Sequence, residues 1–531
     1  MSIEKPITFA IHTIGCKTNQ AESDDIARQL VLKGCRQAEI SDAADAINTT
    51  DAFGGIDCII INTCTVTAAA DKKARQLIRK LKSASPKSKL IVTGCFAELN
   101  RELVKDSPAD FIFSNSKKKE IADFVFTEAL VKEGSRVLIN PSTAPDPVEP
   151  VSETTAAVCT NAAAAEPTSG KIIAACPIAA AAAETYISTD STAASAAFSE
   201  KAGSMTSLQQ DNEEAPAISI VPVTGKEPRH THSRAFVKIQ DGCRQGCSYC
   251  IVPLVRGPYL STDPVKIIAD IKNLVYQGHD EIVLTGIHIG KFGVDLLSKK
   301  TAIKTLPGLV LEILKNTGVK RLRLSSMEIN EIDESLIGII QNNGPAIAPH
   351  LHIPLQSGSD IVLKAMNRKY NSDFFISAVE HIKKAIPGIT ITTDIIVGFP
   401  GETDEDFTRT IEIVKNICFS RLHVFKYSKR PGTRAAIMSG HLQEKIKTER
   451  SRILRELGVD LRNSFIASNI NKKLDVVCEE YDMKTGIAGG TSENYIKVYF
   501  DLNFDEYGKK KGKILKVSAK SIYSDGLFGV L

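Results

Sequence analysis

Cys243, Cys247 and Cys250 form a Cys-x3-Cys-x2-Cys run inside DGCRQGCSYCIVP, directly after the strand-like stretch AFVKIQ. Three thiolates this close suit three corners of a cubic iron–sulfur cluster. The fourth iron would then lack a protein ligand and stand open to a substrate or cosubstrate, as at open metal sites generally. Structural zinc is the competing reading. It usually needs four closed ligands, one Cys pair answered by a second. No second pair or Cys-x2-His lies nearby, so the spacing favours the cluster.

Three more cysteines hold matching places. Cys16 ends TIGC, Cys64 ends NTC and Cys95 ends TGC, each at the C-terminal end of a predicted strand. In an open α/β sheet those ends share the edge where ligands bind. The three could therefore meet in space, although coincidence also explains three strand-end cysteines. Cys35 and Cys58 lack this placement and read as buried or incidental thiols.

Other residues carry weaker signals. Gly398, Gly401 and Glu402 in VGFPGE end a buried strand, where glycine lets backbone approach a cofactor. A tight turn capped by Thr403 or Asp404 is the alternative. Ser325 and Ser326 end another strand and could bond a ribose hydroxyl or merely local backbone. His352 and Gln356 flank HIPLQSG; the histidine reads as a ligand, a proton shuttle or a satisfied core residue. Arg321, Arg323, Arg368, Arg430 and Arg434 lie at strand ends or in loops and could grip RNA phosphates.

The elements that must position these groups alternate strand and helix. From residue 7 to 130, ITFAIHTIG, IDCIIINT and KLIVTG read as strands, with helices over ESDDIARQLVLKG and DKKARQLIRKLK. Between 229 and 455, six strand candidates recur with helices between most of them, which predicts a partial barrel or an open doubly wound sheet. After about 460, KLDVVCEE, YIKVYFD, GKILKVSA and SIYSDGLFGVL read as short strands, with GIAGG as a turn. A small β-barrel follows, given a basic edge by Lys509, Lys510, Lys511 and Lys513. The expected units are 5–130, 131–228, 229–460 and 461–531. The second is rich in Ala, Thr, Ser and Pro and reads as a mostly disordered linker; its Cys159 and Cys176 are not expected to be ligands.

The 531 residues leave room for two to four domains, and 43% hydrophobic content is ordinary for a soluble chain. No apolar run is long enough to span a membrane, and no signal peptide is visible. Twelve cysteines without a secretion signal point to a reducing, cytoplasmic setting. A net charge of +4 limits any nucleic-acid footprint to a local patch.

The cysteine run, with Tyr249 before its last member, resembles the radical S-adenosylmethionine (SAM) superfamily. GCKTNQAES, INTCTVTAAADKKARQ and IVTGCFAE resemble the N-terminal domain of the methylthiotransferases. That family joins such a domain to a radical SAM core and usually to a C-terminal RNA-binding TRAM barrel. The resemblance implies two 4Fe-4S clusters, on Cys243, Cys247 and Cys250 and on Cys16, Cys64 and Cys95. It also implies SAM as methyl donor and radical source, with contacts from Gly398, Gly401 and Glu402, and an electron donor such as flavodoxin or ferredoxin; Ser325 and Ser326 remain SAM candidates by position. NTCTVTAAADKKARQ, HIPLQSGSD, MNRKY and HVFKYSKRPGTRAA look like the branch that modifies N6-threonylcarbamoyladenosine in the tRNA anticodon loop. The other branches act on isopentenyladenosine or on a ribosomal-protein aspartate; a non-catalytic metal-containing RNA-binding protein is more remote. One departure is Leu260 in Arg256-Gly257-Pro258-Tyr259-Leu260-Ser261, where the family often has Arg.

Overall fold

The computed structural model describes residues 6–38, 55–100, 104, 106–127, 137–138, 233–298 and 301–531. The linker expected over 131–228, with Cys159 and Cys176, lies outside the described residues except for 137–138.

The first unit is a six-stranded parallel sheet in the order β2-β1-β3-β4-β5-β6. Its strands are β1 (Thr8–Thr13), β2 (Arg36–Gln37), β3 (Cys58–Thr63), β4 (Lys89–Gly94), β5 (Phe111–Ile112) and β6 (Val137–Leu138). Alternation along β3 and β4 explains why both faces are covered. Cys58, Ile60 and Ile91 pack with Ile26 and Leu30 of helix Lys17–Leu32. Ile59, Ile61, Leu90 and Val92 pack with Ala74, Ile78 and Leu81 of helix Ala68–Ala84. Cys35 and Cys58 are buried, as expected. Because β6 pairs with β5, this sheet extends past residue 130.

The second unit carries the predicted β/α alternation. Its strands are β7 (Ala235–Asp241), β8 (Leu260–Ser261), β9 (Glu281–Gly286), β10 (Arg321–Leu324), β11 (His350–His352), β12 (Thr390–Val397) and β13 (Arg421–Lys426). The sheets β10-β9-β7-β8 and β11-β12-β13 are joined by a parallel bridge between Leu322 and Ile347. Six parallel strands thus form an open-sided barrel, with β8 antiparallel on its edge. Helices cover the outside through one apolar core that includes Leu322, Leu351, Ile391, Ile395 and Val424.

The last unit is a closed barrel, β14-β15-β16-β18-β17. The strands are β14 (Lys473–Asp482), β15 (Ile487–Ser492), β16 (Lys497–Asp501), β17 (Ile514–Tyr523) and β18 (Gly526–Val530). GIAGG, expected as a turn, lies mostly inside β15. A Cβ at Gly490 would sit 1.9 Å from the Val477 carbonyl, so this glycine serves close strand packing rather than chain reversal. Helix Glu444–Ala467 crosses the expected boundary at 460: Leu454 joins the core of the second unit and Ile466 that of the barrel.

The arginines that could have gripped RNA make bonds within the protein, all of them buried except exposed Arg434. Glu281 lies buried between Arg321 and Arg323. Arg321 Nη1 donates to the Asp475 carbonyl at 2.6 Å, and Arg323 donates to the Ser492 and Glu493 carbonyls, both at 3.0 Å. The two arginines therefore dock the C-terminal barrel. Arg368 pairs with Glu328, Arg430 with Asp71, and Arg434 donates to the Gly246 carbonyl. Lys513, expected on the basic edge, donates to the Gly278 carbonyl at 2.6 Å across the same interface. Arginine with a carboxylate or carbonyl at hand is more stable paired than solvated alone in a closed interface.

Tyr495 lies in the β15–β16 turn at φ +71. Its ring lies 4.6 Å from His350 and under three cations: Arg323 at 4.7 Å, Lys17 at 5.3 Å and Arg234 at 5.6 Å. Lys17 comes from the first unit, so all three units meet at this phenol.

Candidate active site

Cys16 is the N-cap of helix Lys17–Leu32, Cys64 follows β3, and Cys95 opens helix Cys95–Leu99 after β4. Their strands are neighbours in the sheet, so the three thiols share one edge, as the strand-end reading required. Close approach there explains the glycines before two of them. A Cβ at Gly15 would meet Cys64 Cβ at 3.1 Å, and one at Gly94 would meet the Thr63 carbonyl at 2.2 Å. Asn19 Nδ2 ties this edge together with a 2.9 Å bond to the Thr63 carbonyl.

The second triad sits in the loop after β7. Arg368 Nη1 donates to Cys247 Sγ at 3.4 Å, and His288 Nδ1 lies 3.4 Å from Cys243 Sγ. His288 Nε2 lies 2.8 Å from Glu331. Burial opposes protonation of this imidazole, yet its bonds to Cys243 and Glu331 prevail and push it up to about 9. The loop is pinned from behind: Ser248 N–H donates to the Met366 carbonyl at 3.0 Å and the Ala435 N–H to the Ser248 carbonyl at 2.7 Å.

The two triads are adjacent. Cys95 packs with Ile251 and Val255, in the turn that follows Cys250. Arg256, whose side chain is 1% exposed, reaches back across this contact. Its Nε donates to Cys95 Sγ at 3.2 Å, its Nη2 to Asn19 Oδ1 at 2.7 Å, and its Nη1 to Glu22 at 2.7 Å and Asp241 at 3.0 Å. Lys118 and Lys238 also pair with Glu22. Burial would raise the Glu22 carboxyl, but Lys118, Arg256 and Lys238 hold it well below the usual carboxylate range. Three cations thus face two carboxylates, and the surplus positive charge lies against Cys95. Leu260, in place of the family's usual Arg, is an exposed residue of β8.

Both triads suit an iron–sulfur cluster. Among the described residues, the three-donor group whose ligand atoms all lie within 4.8 Å is His352, Asp394 and His423. Neither cysteine triad is drawn in as tightly as one tetrahedral zinc with bonds of about 2.3 Å requires. Burial pushes the Cys64 thiol up to about 11 and Cys250 up to about 12. Such thiols give up their protons to a strongly electropositive partner, which iron is.

The remaining expected residues divide. Ser325 ends β10 with its hydroxyl buried and unpartnered, while Ser326 is exposed. Glu402 is committed elsewhere: it accepts from Gly398 N–H at 2.6 Å and pairs with Arg450. A Cβ at Gly398, φ +73, would lie 2.1 Å from Lys447 Cγ, and Gly401 N–H donates to the Gly440 carbonyl at 2.9 Å. Thr403 caps the next helix in a full capping box with Asp406. The glycines therefore answer to the turn's own packing. Gln356 is held in the barrel wall by backbone bonds to Asp394 and Ile396. His352 is partly open to the barrel interior and lies 3.1 Å from Asp394.

Sequence reading missed Asn19, Glu22, Asp241, His288 and Glu331, and gave Arg256 no contact. The available signal was position: Asp241 and Arg256 bracket the cysteine loop, and Asn19 and Glu22 follow Cys16 on one helix face.

Comparison with known proteins agrees with this architecture. Residues 237–414 match the radical SAM superfamily model, and residues 8–114 match "Uncharacterized protein family UPF0004". The chain is 32% identical to the threonylcarbamoyladenosine tRNA methylthiotransferase MtaB of Thermotoga maritima, over 98% of this chain and 96% of that one. Identity and coverage are the same for the MtaB of Bacillus subtilis. A tRNA-2-methylthio-N(6)-dimethylallyladenosine synthase of Bartonella tribocorum is 35% identical over 56% of this chain and 63% of its own. Among solved structures, the radical SAM methyltransferase TsrM of Kitasatospora setae, with cobalamin and a 4Fe-4S cluster bound, has a similar fold. Its TM-score is 0.50 at 13% identity, covering 82% of this chain and 77% of that one. No described helix is long and apolar enough to cross a membrane. A radical SAM core beside a cysteine-bearing N-terminal sheet, with 32% identity to the two MtaB proteins over nearly the whole chain, means that the chain belongs to the radical SAM methylthiotransferase family.

Proposed function

We propose that the protein adds a methylthio group to C2 of N6-threonylcarbamoyladenosine beside the tRNA anticodon. The observation that carries this is the contact of Cys95 with Ile251 and Val255, which sets two cysteine triads side by side. A radical centre and a sulfur carrier must both reach one substrate carbon, and adjacent triads meet that need. The likeness over nearly the whole chain to threonylcarbamoyladenosine tRNA methylthiotransferases supports this branch.

Cys243, Cys247 and Cys250 would hold one four-iron cluster, and Cys16, Cys64 and Cys95 a second. When bound, the first supplies the electron for SAM cleavage and the second a holding place for the transferable sulfur. The chain's own groups position them: His288 and Arg368 fix Cys243 and Cys247, while Arg256 and Asn19 fix the edge that carries Cys95 and Cys16. Ser325, its hydroxyl buried and unpartnered, would bond a ribose hydroxyl of SAM; Gly398 and Gly401 would shape the turn after β12, and Glu402 locks that turn to Arg450. An adenosine in a loop can be unstacked and inserted into the open-sided barrel, as base-modifying enzymes require. Lys509, Lys510 and Lys511 on the C-terminal barrel would meet RNA phosphates. A reductant such as flavodoxin or ferredoxin would supply electrons.

The test offers reconstituted protein, SAM and reductant three substrates: threonylcarbamoylated tRNA, isopentenylated tRNA and the ribosomal protein. Nucleoside and peptide mass spectrometry should find methylthio product on the first alone. Product only on either of the others sinks the assignment.

A further inference from the structure

Three polar side chains inside the barrel have no part in the roles above. His352, Asp394 and His423 alternate along β11, β12 and β13 with Leu351, Ile395 and Val424, which pack outward under the helices. The pleat therefore turns all three to the inner face. His352 Nε2 lies 3.1 Å, and His423 Nδ1 3.3 Å, from the same oxygen, Asp394 Oδ1. The two rings stack with centroids 5.3 Å apart. Thr392 Oγ1, 2.9 Å from His352 Nδ1, occupies the other nitrogen of that ring. Exposure rises across the trio, from 12% at His352 to 25% at Asp394 and 42% at His423. A trio kept for packing alone would be shut; this one opens at His423, whose Nε2 is the atom left to meet a ligand.

The surroundings choose the ligand's sign. His350, on the same wall, feels the charges of Arg323 and Lys17 together with His352 and His423. A divalent cation would face this positive field, whereas an anionic group would be drawn to it. Asp394 is the trio's one anion, and both imidazoles already share its Oδ1. His423 turns Nδ1 to Asp394 and Nε2 to the open side, and each imidazole nitrogen can carry a proton, so the ring can bridge Asp394 and a ligand carboxylate.

We propose that His423 Nε2 binds the carboxylate of the substrate's N6-threonylcarbamoyl arm, with Asp394 and His352 as positioning residues that fix its ring. This rests on the function proposed above and names its specificity site. An isopentenyl arm has no polar group to offer and would leave His423 Nε2 desolvated without a partner, which disfavours it.

The experiment uses the cluster-loaded enzyme with two synthetic anticodon stem-loops. One carries the threonylcarbamoyl group; the other carries a threoninol analogue in which the carboxylate is replaced by a hydroxymethyl group. For the unaltered enzyme, loss of the carboxylate should lower kcat/KM about tenfold or more, mainly through KM, as expected for one charge-assisted hydrogen bond. His423→Phe keeps a ring of similar size and should treat the two stem-loops alike. His423→Gln, which keeps a donor, should recover part of the preference. Iron content reports that each variant is folded and loaded. Full discrimination by His423→Phe, or none by the unaltered enzyme, overturns the proposal while the methylthiolation reading stands. A divalent metal beyond the cluster iron, bound by the unaltered enzyme and lost in His423→Phe, also overturns it, because the trio would then be a cation site. Product on isopentenylated RNA alone overturns both readings.

Discussion

Arg256 Nε stands 3.2 Å from Cys95 Sγ, although 161 residues separate the two in sequence. The guanidinium belongs to the core and the thiol to the N-terminal sheet, so this bond ties the two units together where Cys95 meets Ile251 and Val255. Replacing Arg256 removes one of three cationic partners of buried Glu22 and one of two at half-buried Asp241. Arg256→Leu should cost about 3–5 kcal/mol of stability, as breaking buried ion pairs does. Arg256→Lys retains the charge but loses the fork that spans Cys95, Asn19 and Glu22. In that variant, electron paramagnetic resonance should show a shifted reduction potential for a cluster on Cys16, Cys64 and Cys95. An unchanged potential would mean that Arg256 has only a structural part.

Two independent clusters make a second expectation. Replacing Cys243, Cys247 and Cys250 by Ala should remove about half of the iron and abolish reductive SAM cleavage. Replacing Cys16, Cys64 and Cys95 should remove the other half and spare that cleavage. Full iron content in the second variant would refute an auxiliary site.

The Tyr495 phenol gives a pH signature. Burial would raise it, but Lys17, Arg234 and Arg323 prevail and bring it down to about 8. An unfolded tyrosine titrates near 10. Between about 8 and 10 the folded chain holds fewer protons than the unfolded one, so stability from this group grows as pH rises across that window. Below about 8 the contribution is gone. Ultraviolet difference titration should show one tyrosinate step near pH 8, and Tyr495→Phe should erase it. A titration with no step below about 9 would contradict the cation cage.

Docking of the C-terminal barrel depends on Arg323. Arg323→Ala leaves Glu281 with one fewer buried partner, strands the Glu493 carbonyl and leaves the Ser492 carbonyl only the Tyr495 N–H. Thermal unfolding should shift down, and proteases should cut near residue 470 sooner than in the unaltered protein. Equal cleavage rates would show that the docking is held elsewhere. Truncating the chain before Lys472 is a poor test of RNA binding for the same reason, since it uncovers this buried ion group.

A cleaner test of RNA binding changes Lys509, Lys510 and Lys511 to Glu and leaves Lys513 alone. For every phosphate that these lysines no longer neutralise, the slope of log affinity against log salt should fall by about 0.7–0.9. A slope that stays the same would place the RNA on another surface.

The sequence revealed what local pattern can carry. Each cysteine of the N-terminal triad ends a strand, and strands that follow one another in a parallel sheet bring their ends to one edge; that logic needs no coordinates. The six β/α units were legible from the same periodicity. GIAGG was misread because paired glycines signal a turn locally, whereas Gly490 is set by the Val477 carbonyl of the neighbouring strand. The arginines were misread because residue type shows what a side chain can bind and not what folding places beside it. Arg321 and Arg323 find carbonyls about 150–170 residues away, a separation no pattern encodes. His352 stayed ambiguous until Asp394 and His423 appeared on the adjoining strands.

The phenol of Tyr495, touched by Lys17, Arg234, Arg323 and His350, bears on how such enzymes can be retargeted. A C-terminal barrel looks like an exchangeable cartridge: swap it, and the catalytic body should read a different RNA. Here the cartridge carries the ring against which the body's cations pack. A foreign barrel spliced in at residue 472 would bring its own β15–β16 turn, leaving three cations facing one another without the ring that separates them. The smallest transplantable piece is thus the barrel's outer surface with its Ser492–Ile496 turn left native, and chimeras built to that rule should keep the catalytic body intact.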